Sequence, residues 1–259
     1  LNMGIKKAKN EVLYFLDSDT FIERNALKNI AQTLSGKTAA VQGISVAVNK
    51  TGLLSSMARL EIVLSNSYNF WCARFLKTSV TLGRNFAIYK RKLTGIGGFS
   101  SVLAEDINLA RRLYEKNLRV AFNHNVVSEE LVPSKFSHLW KQHERWYSGG
   151  LRELSSIRKA DMILLPFIVT ISLFHVFLPI LGLIFIITGS IFALGGVLTG
   201  FMIILHQSAK YLTKEEIILS PVTTIALSVF SLAMLINVIL KMLLGIRIGW
   251  YKTPKVIKN

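Results

Sequence analysis

Hydrophobic positions in the first 160 residues come in short runs broken by charge, and two periods alternate along them. Val12-Leu13-Tyr14-Phe15-Leu16 is a continuous apolar run of strand length. Ala39 to Val48, Asn85 to Tyr89 and Arg119 to Phe122 have the same character, as expected of buried strands between turns. Helical spacing takes over between them. Residues 2–9 read as a short helix, and at 24–34 Ala26, Leu27, Ile30, Ala31 and Leu34 share one side. Residues 52–75 are helical in pattern, with Arg59, Glu61 and Arg74 set among apolar and aromatic positions. From Glu105 to Lys116, Ile107, Leu109, Ala110 and Leu113 form an apolar side that stops near Asn117. Strands separated by helices in this rhythm predict an α/β domain with a mixed, mostly parallel sheet and flanking helices.

The pattern changes after Asp161. Residues 162–205 carry no Asp, Glu, Lys or Arg, and neither do residues 217–240. A helix needs about 20 apolar residues to cross a bilayer, so transmembrane α-helices are expected near 164–187, 189–206 and 217–241. The chain thus divides into a soluble α/β region at 1–133, an interfacial helix region at 134–160 and a membrane region at 161–259 with a basic tail. Three crossings would put that tail opposite the α/β region, yet Arg247, Lys252, Lys255 and Lys258 favour the same, cytoplasmic side. One segment is therefore expected to be interfacial or re-entrant, and Pro179 and Gly182 mark one place for a break.

Charge narrows the partners. The net charge is +16, and 24 Lys and Arg against 12 Asp and Glu lie before residue 161. Next to membrane segments this excess points to anionic lipid or a phosphorylated substrate; no nucleic-acid-binding signature accompanies it. The single cysteine, Cys72, excludes a disulfide framework and a cysteine-based zinc site. No signal peptide is visible, and a chain that starts at Leu1 on a helix-like segment reads as a piece of a longer protein.

Three constellations carry candidate chemistry. Asp17-Ser18-Asp19 follows the first strand, at the carboxyl end where α/β sheets bind ligands. Two such carboxylates can share a hard divalent cation with substrate phosphates, although a turn or helix cap uses the same residues. Glu105-Asp106 opens a helix after Gly97-Gly98-Phe99. Acids favour that position on dipole grounds alone, and Asp106 is also a candidate general base for an attacking hydroxyl. In Gln142-His143-Glu144-Arg145-Trp146, Gln142 and Trp146 share a helical face with Arg145 beside them. Arg145 suits a diphosphate and the indole suits a sugar ring, while the same residues are common on interfacial helices. His124, His138 and His143 read as solvated or interfacial. His175, within the first apolar block, is expected to line a channel or a helix contact.

The order of these motifs resembles the family 2 glycosyltransferases of the cellulose, chitin and hyaluronan synthase type. Asn2-x-Gly4…Ala8-x-x-Glu11 before the first strand, Gly83-Arg84-Asn85-Phe86-Ala87-Ile88 followed by Arg91, and Glu130 with Pro133 ahead of the Gln-x-x-Arg-Trp helix add to it. The resemblance covers residues 1 to 160; beyond that it rests on the apolar segments. It implies a GT-A-like domain and inverting sugar transfer from a nucleotide diphosphate, with a UDP-sugar the expected donor. Asp19 would hold Mg²⁺ or Mn²⁺ with Asp17 in support. Asp106 would be the base with Glu105 orienting, and Gln142, Arg145 and Trp146 would meet the acceptor and the diphosphate. The expected acceptor is a growing polysaccharide. The alternatives are a lipid or polyprenyl-phosphate acceptor, and a transporter or scaffold with a non-catalytic transferase-like part. Two departures accompany the match: Ala104 stands where the cellulose synthases carry Thr, and the family's first nucleotide-binding half is expected before Asn2. The expected location is a cell membrane, multi-pass, with the α/β region cytoplasmic.

Overall fold

The computed structural model describes residues 1–48, 52–154 and 211–251, with scattered positions between 185 and 206. Its elements run α1 (Asn2–Lys7), β1 (Val12–Leu16), β2 (Thr20–Ile22), α2 (Ala26–Thr33), β3 (Thr38–Ala47), α3 (Gly52–Phe75), β4 (Asn85–Tyr89), α4 (Lys90–Gly95), α5 (Glu105–Glu115), β5 (Arg119–Glu130), α6 (Phe136–Leu154) and α7 (Lys214–Leu243). Every strand and helix expected from periodicity before residue 120 is present. The expected segments at 164–187 and 189–206, His175, and Lys252, Lys255 and Lys258 lie outside the described residues, apart from those scattered positions. The third expected segment, 217–241, is α7.

Among the described residues the five strands form one sheet in the order β1-β4-β3-β5-β2. It is not mostly parallel. Only β3 and β5 pair in parallel; β1–β4, β3–β4 and β2–β5 are antiparallel. The cause is local: β4 enters between β1 and β3 running against both, and the chain reverses at once between β1 and β2. Strand-helix rhythm fixes which segments are strands but not the direction of each.

β5 is longer than its apolar start suggests. Its register against β3 jumps from Gln42↔Phe122 to Ile44↔Val127, so Asn123 to Val126 bulge opposite Gly43 and pairing resumes to Ala47↔Glu130. The bulge is pinned by Asn85, whose amide donates to the Ile44 carbonyl at 2.8 Å and the Val126 carbonyl at 3.0 Å. Tyr14 Oη donates to the Asn85 Oδ1 at 2.7 Å, which ties in β1.

One core lies on α5, where Leu109 and Leu113 pack with Leu13, Phe86, Ile88, Leu93 and Val120. A second joins three helices: Met57, Leu60 and Leu64 of α3 and Leu139 of α6 pack with Leu227, Phe230, Met234 and Val238 of α7. Two polar links fasten α7. At its first turn, Glu216 takes a bidentate grip from Arg59, Nη2 to Oε2 at 3.1 Å, and Arg59 also donates to the Ala47 carbonyl. At its last turn, Lys241 and Asn237 donate to Glu144 of α6, the latter at 2.8 Å. The face turned away is aliphatic: Ile218, Val222, Ile225, Val229, Ala233, Ile236, Leu240 and Leu243 are exposed at three- and four-residue spacing.

Candidate active site

β1, β3 and β5 run the same way, so their carboxyl ends share one edge of the sheet with the start of β4. Asp17 follows Leu16 there, Glu130 ends β5, and Arg84 precedes Asn85, the partner of Leu16. The Thr20 N–H donates to the Asp17 carbonyl at 3.1 Å, which closes Asp17, Ser18 and Asp19 into a tight turn. Asp17 is exposed and Asp19 half-buried.

Glu105 and Asp106 occupy the first turn of α5, where unpaired backbone N–H groups favour anions. Asp106 is held on both oxygens: Oδ1 accepts from the Ile107 N–H at 2.9 Å and Oδ2 from the Thr81 hydroxyl. Gly83 lets this carboxylate lie against the chain, since a Cβ at that position would sit 3.1 Å from Asp106 Oδ2. Burial lifts the Glu105 carboxyl above its ordinary pKa; its backbone hydrogen bond and Arg145 work against the rise, and Asp106 and Asp17 add to it. Glu105 thus lies within electrostatic reach of Asp17, Asp106 and Arg145.

Arg145 and Trp146 reach this edge because α6 comes close to the start of α5. A Cβ on Gly149 would lie 2.8 Å from the Ala104 Cβ, so glycine at 149 and the small residue at 104 permit the approach. The departure at Ala104 thus has a packing reason in this chain. The Arg145 guanidinium lies 5.8 Å from the Trp250 ring, and Gln142, one turn before Trp146, is buried.

Four residues outside the expected set complete the site. Arg84 Nη1 donates to Glu130 Oε1 at 2.7 Å, and its guanidinium lies 5.5 Å from the Trp146 ring centroid. Arg84 has φ +65°, and the Asn85 N–H reaches back to the Gly83 carbonyl at 2.7 Å, a three-residue turn with a left-handed centre. Such a conformation costs a non-glycine residue roughly 1–3 kcal/mol. His143 is not solvated: it is fully buried, with Nε2 2.8 Å from both Glu61 oxygens and Nδ1 2.9 Å from the Leu139 carbonyl. Its ring lies 4.9 Å from Trp146. The sequence does carry a signal for this pair. An acid between Leu60 and Ile62-Val63-Leu64 needs a buried partner, and His143 is one that it finds.

Among the described residues no group of three or more His, Cys, Asp or Glu gathers as a metal cage. The Asp17–Asp19 turn instead offers two carboxylates at an open edge. That donor set fits a hard cation that takes one or two carboxylates and completes its shell with phosphate oxygens and water.

A family model described as glycosyl transferase family group 2 matches residues 12–246. The chain belongs to this family. The poly-β-1,6-N-acetyl-D-glucosamine synthase of Staphylococcus aureus is 26% identical over 198 residues, which is 71% of this chain and 47% of that protein. The Staphylococcus epidermidis protein of that name is 26% identical over 154 residues, 58% of this chain and 37% of its own. The chain thus spans about half the length of these relatives or less. The mannosyltransferase PcManGT from Pyrobaculum calidifontis, solved with GDP-Man and Mn²⁺, superposes with a TM-score of 0.52 at 18% identity, over 95% of this chain and 66% of that one. The fold is accordingly that of a GT-A-like glycosyltransferase domain.

Proposed function

We propose that this chain is the acceptor-side part of a membrane-bound inverting glycosyltransferase that moves a sugar from a nucleotide diphosphate to a hydroxyl of a growing polysaccharide. The observation that carries the reading is the sheet edge that holds Asp17, Arg84 and Glu130, with Arg84 over the Trp146 ring and Glu105 within electrostatic reach of Asp17, Asp106 and Arg145. Asp106, oriented by Thr81 and the Ile107 N–H, takes the proton from the acceptor hydroxyl. The acceptor oxygen bonds to the anomeric carbon as the bond to the diphosphate breaks. Glu105 keeps the carboxylate pair aligned, and Arg145 faces the charge that develops on the leaving group. Trp146 stacks on an acceptor sugar in this reading, with Gln142 one turn before it. A divalent cation held by Asp19 and Asp17, when bound, would neutralise charge on the diphosphate. Mg²⁺ and Mn²⁺ both suit the site, and a UDP-sugar is the proposed donor, as the resemblance to the polysaccharide synthase type implies.

The same reading includes a topology. Glu216 and Lys241 are tied to α3 and α6, and 25 residues of helix separate them by roughly 38 Å, more than the ~30 Å hydrocarbon core. If α7 crossed, Arg59 and Glu144, both on helices of the same unit, would have to stand at opposite membrane faces, and the Glu61–His143 pair, whose ring lies 4.9 Å from Phe230 at mid-helix, would be drawn to membrane depth, where charge is costly. α7 instead lies along the bilayer surface with its aliphatic face in lipid.

The test is release of nucleoside diphosphate from a panel of nucleotide sugars by the full-length protein in membranes. Release should need Mg²⁺ or Mn²⁺ and be lost on chelation. Asp106→Asn should cut transfer about 10²–10⁴-fold with unchanged thermal stability. Retained transfer in that variant would remove Asp106 as the base.

A further inference from the structure

Arg84 is held at two points, by a buried carboxylate and by an indole of the site. Glu130, only 2% exposed, binds one edge of the guanidinium. The Trp146 indole lies beneath it at 5.5 Å. Burial works against the Arg84 charge, and Glu130, Asp17 and Glu61 together outweigh it. A quarter of the side chain stays open at the sheet edge that carries Asp17. The backbone beneath it is left-handed, where glycine would be relaxed. A strained arginine persists at such a point when its side chain is over-determined by what surrounds it.

We propose that Arg84 is a positioning residue that sets the Trp146 indole relative to the Asp17–Asp19 turn, with Glu130 as its anchor. This inference rests on the transferase reading above. The acceptor must present a hydroxyl to Asp106 while the diphosphate leaves beside the Asp17–Asp19 turn, so platform and turn need a fixed spacing. The guanidinium supplies it: Nη1 is bonded to a buried carboxylate while the group lies over the indole. Lysine keeps the charge but has neither the fork nor the face.

The experiment measures acceptor KM, kcat and donor hydrolysis by water in the full-length protein in membranes. Arg84→Ala should raise acceptor KM roughly tenfold, a larger change than any in donor hydrolysis. Arg84→Lys should recover less than half of the loss. Glu130→Gln should reproduce the KM rise, and the double variant should add little to either single one. Arg84→Gly relieves the backbone strain, so it should melt no lower than Arg84→Ala while showing the same KM defect. An unchanged acceptor KM in Arg84→Ala overturns the inference, and so does Arg84→Lys behaving as the parent. If the parent itself releases no nucleoside diphosphate, the transferase reading falls and this inference falls with it. Release by the parent with a silent Arg84→Ala removes the positioning role alone.

Discussion

Replacing Arg59 by Leu tests whether α7 is part of the α/β unit or an appendage to it. Arg59 is 5% exposed and its partner Glu216 14%. The guanidinium serves both Glu216 oxygens, the Ala47 carbonyl at the end of β3 and the Tyr211 carbonyl at 3.4 Å. Leucine fills much of the volume but leaves a carboxylate and two carbonyls in a setting with little water. Removing one partner of a buried pair costs about 3–5 kcal/mol. For a chain of this size each kcal/mol moves Tm by about 2–4 °C, so Arg59→Leu should melt roughly 6–20 °C lower in mild detergent. Replacing both partners, Arg59→Leu with Glu216→Leu, should restore most of the loss, because no charge is then stranded. A single variant within about 2 °C of the parent, or a double variant as unstable as the single, would refute the reasoning.

Two further outcomes follow from features on either side of the site. Glu105 binds its proton more tightly folded than unfolded, so its contribution to stability is present below its ordinary pKa of 4.5 and is lost as pH rises through the raised value. Glu105→Gln, which cannot ionise, should therefore gain in Tm over the parent as pH climbs above that window; a difference independent of pH would contradict the burial of Glu105. For topology, Lys214→Cys and Arg247→Cys place thiols at the two ends of α7, both exposed. In oriented vesicles a membrane-impermeant maleimide should reach both from the cytoplasmic side, and labelling from opposite sides would make α7 a crossing helix.

Much of this was legible before any coordinates. The apolar run at 12–16, the helix at 52–75 and the amphipathic stretch after Glu105 are strong local patterns, and each became the element expected. β2 and α4 were missed because three strand residues and six helical ones are too few to establish a period. The direction of β4 is set by its neighbours, not by its own residues. Glu130 reaches the site only because the polar stretch at Asn123 to Asn125 is absorbed as a bulge instead of ending the strand. Of the expected site residues, Glu105 lies within electrostatic reach of Asp17, Asp106 and Arg145. The Arg84–Glu130 and Glu61–His143 pairs could not be read as pairs, since 46 and 82 positions separate their members. A buried ion pair over such spans depends on the sheet order and on the packing of α3 against α6.

α7 turns its hydroxyls inward and its aliphatic residues outward. Ser220, Thr223, Ser228 and Ser231 are buried, and so are the larger Leu227, Phe230 and Met234 that meet α3 and α6. A chain cut before residue 211 would lose one wall of the interior that carries Glu61 and His143. It would lay Met57, Leu60, Leu64 and Leu139 bare to solvent. Trimming the membrane-facing part to obtain a soluble catalytic piece would therefore yield an aggregating one. Lipid contact and the integrity of the site's scaffold rest on opposite faces of a single helix.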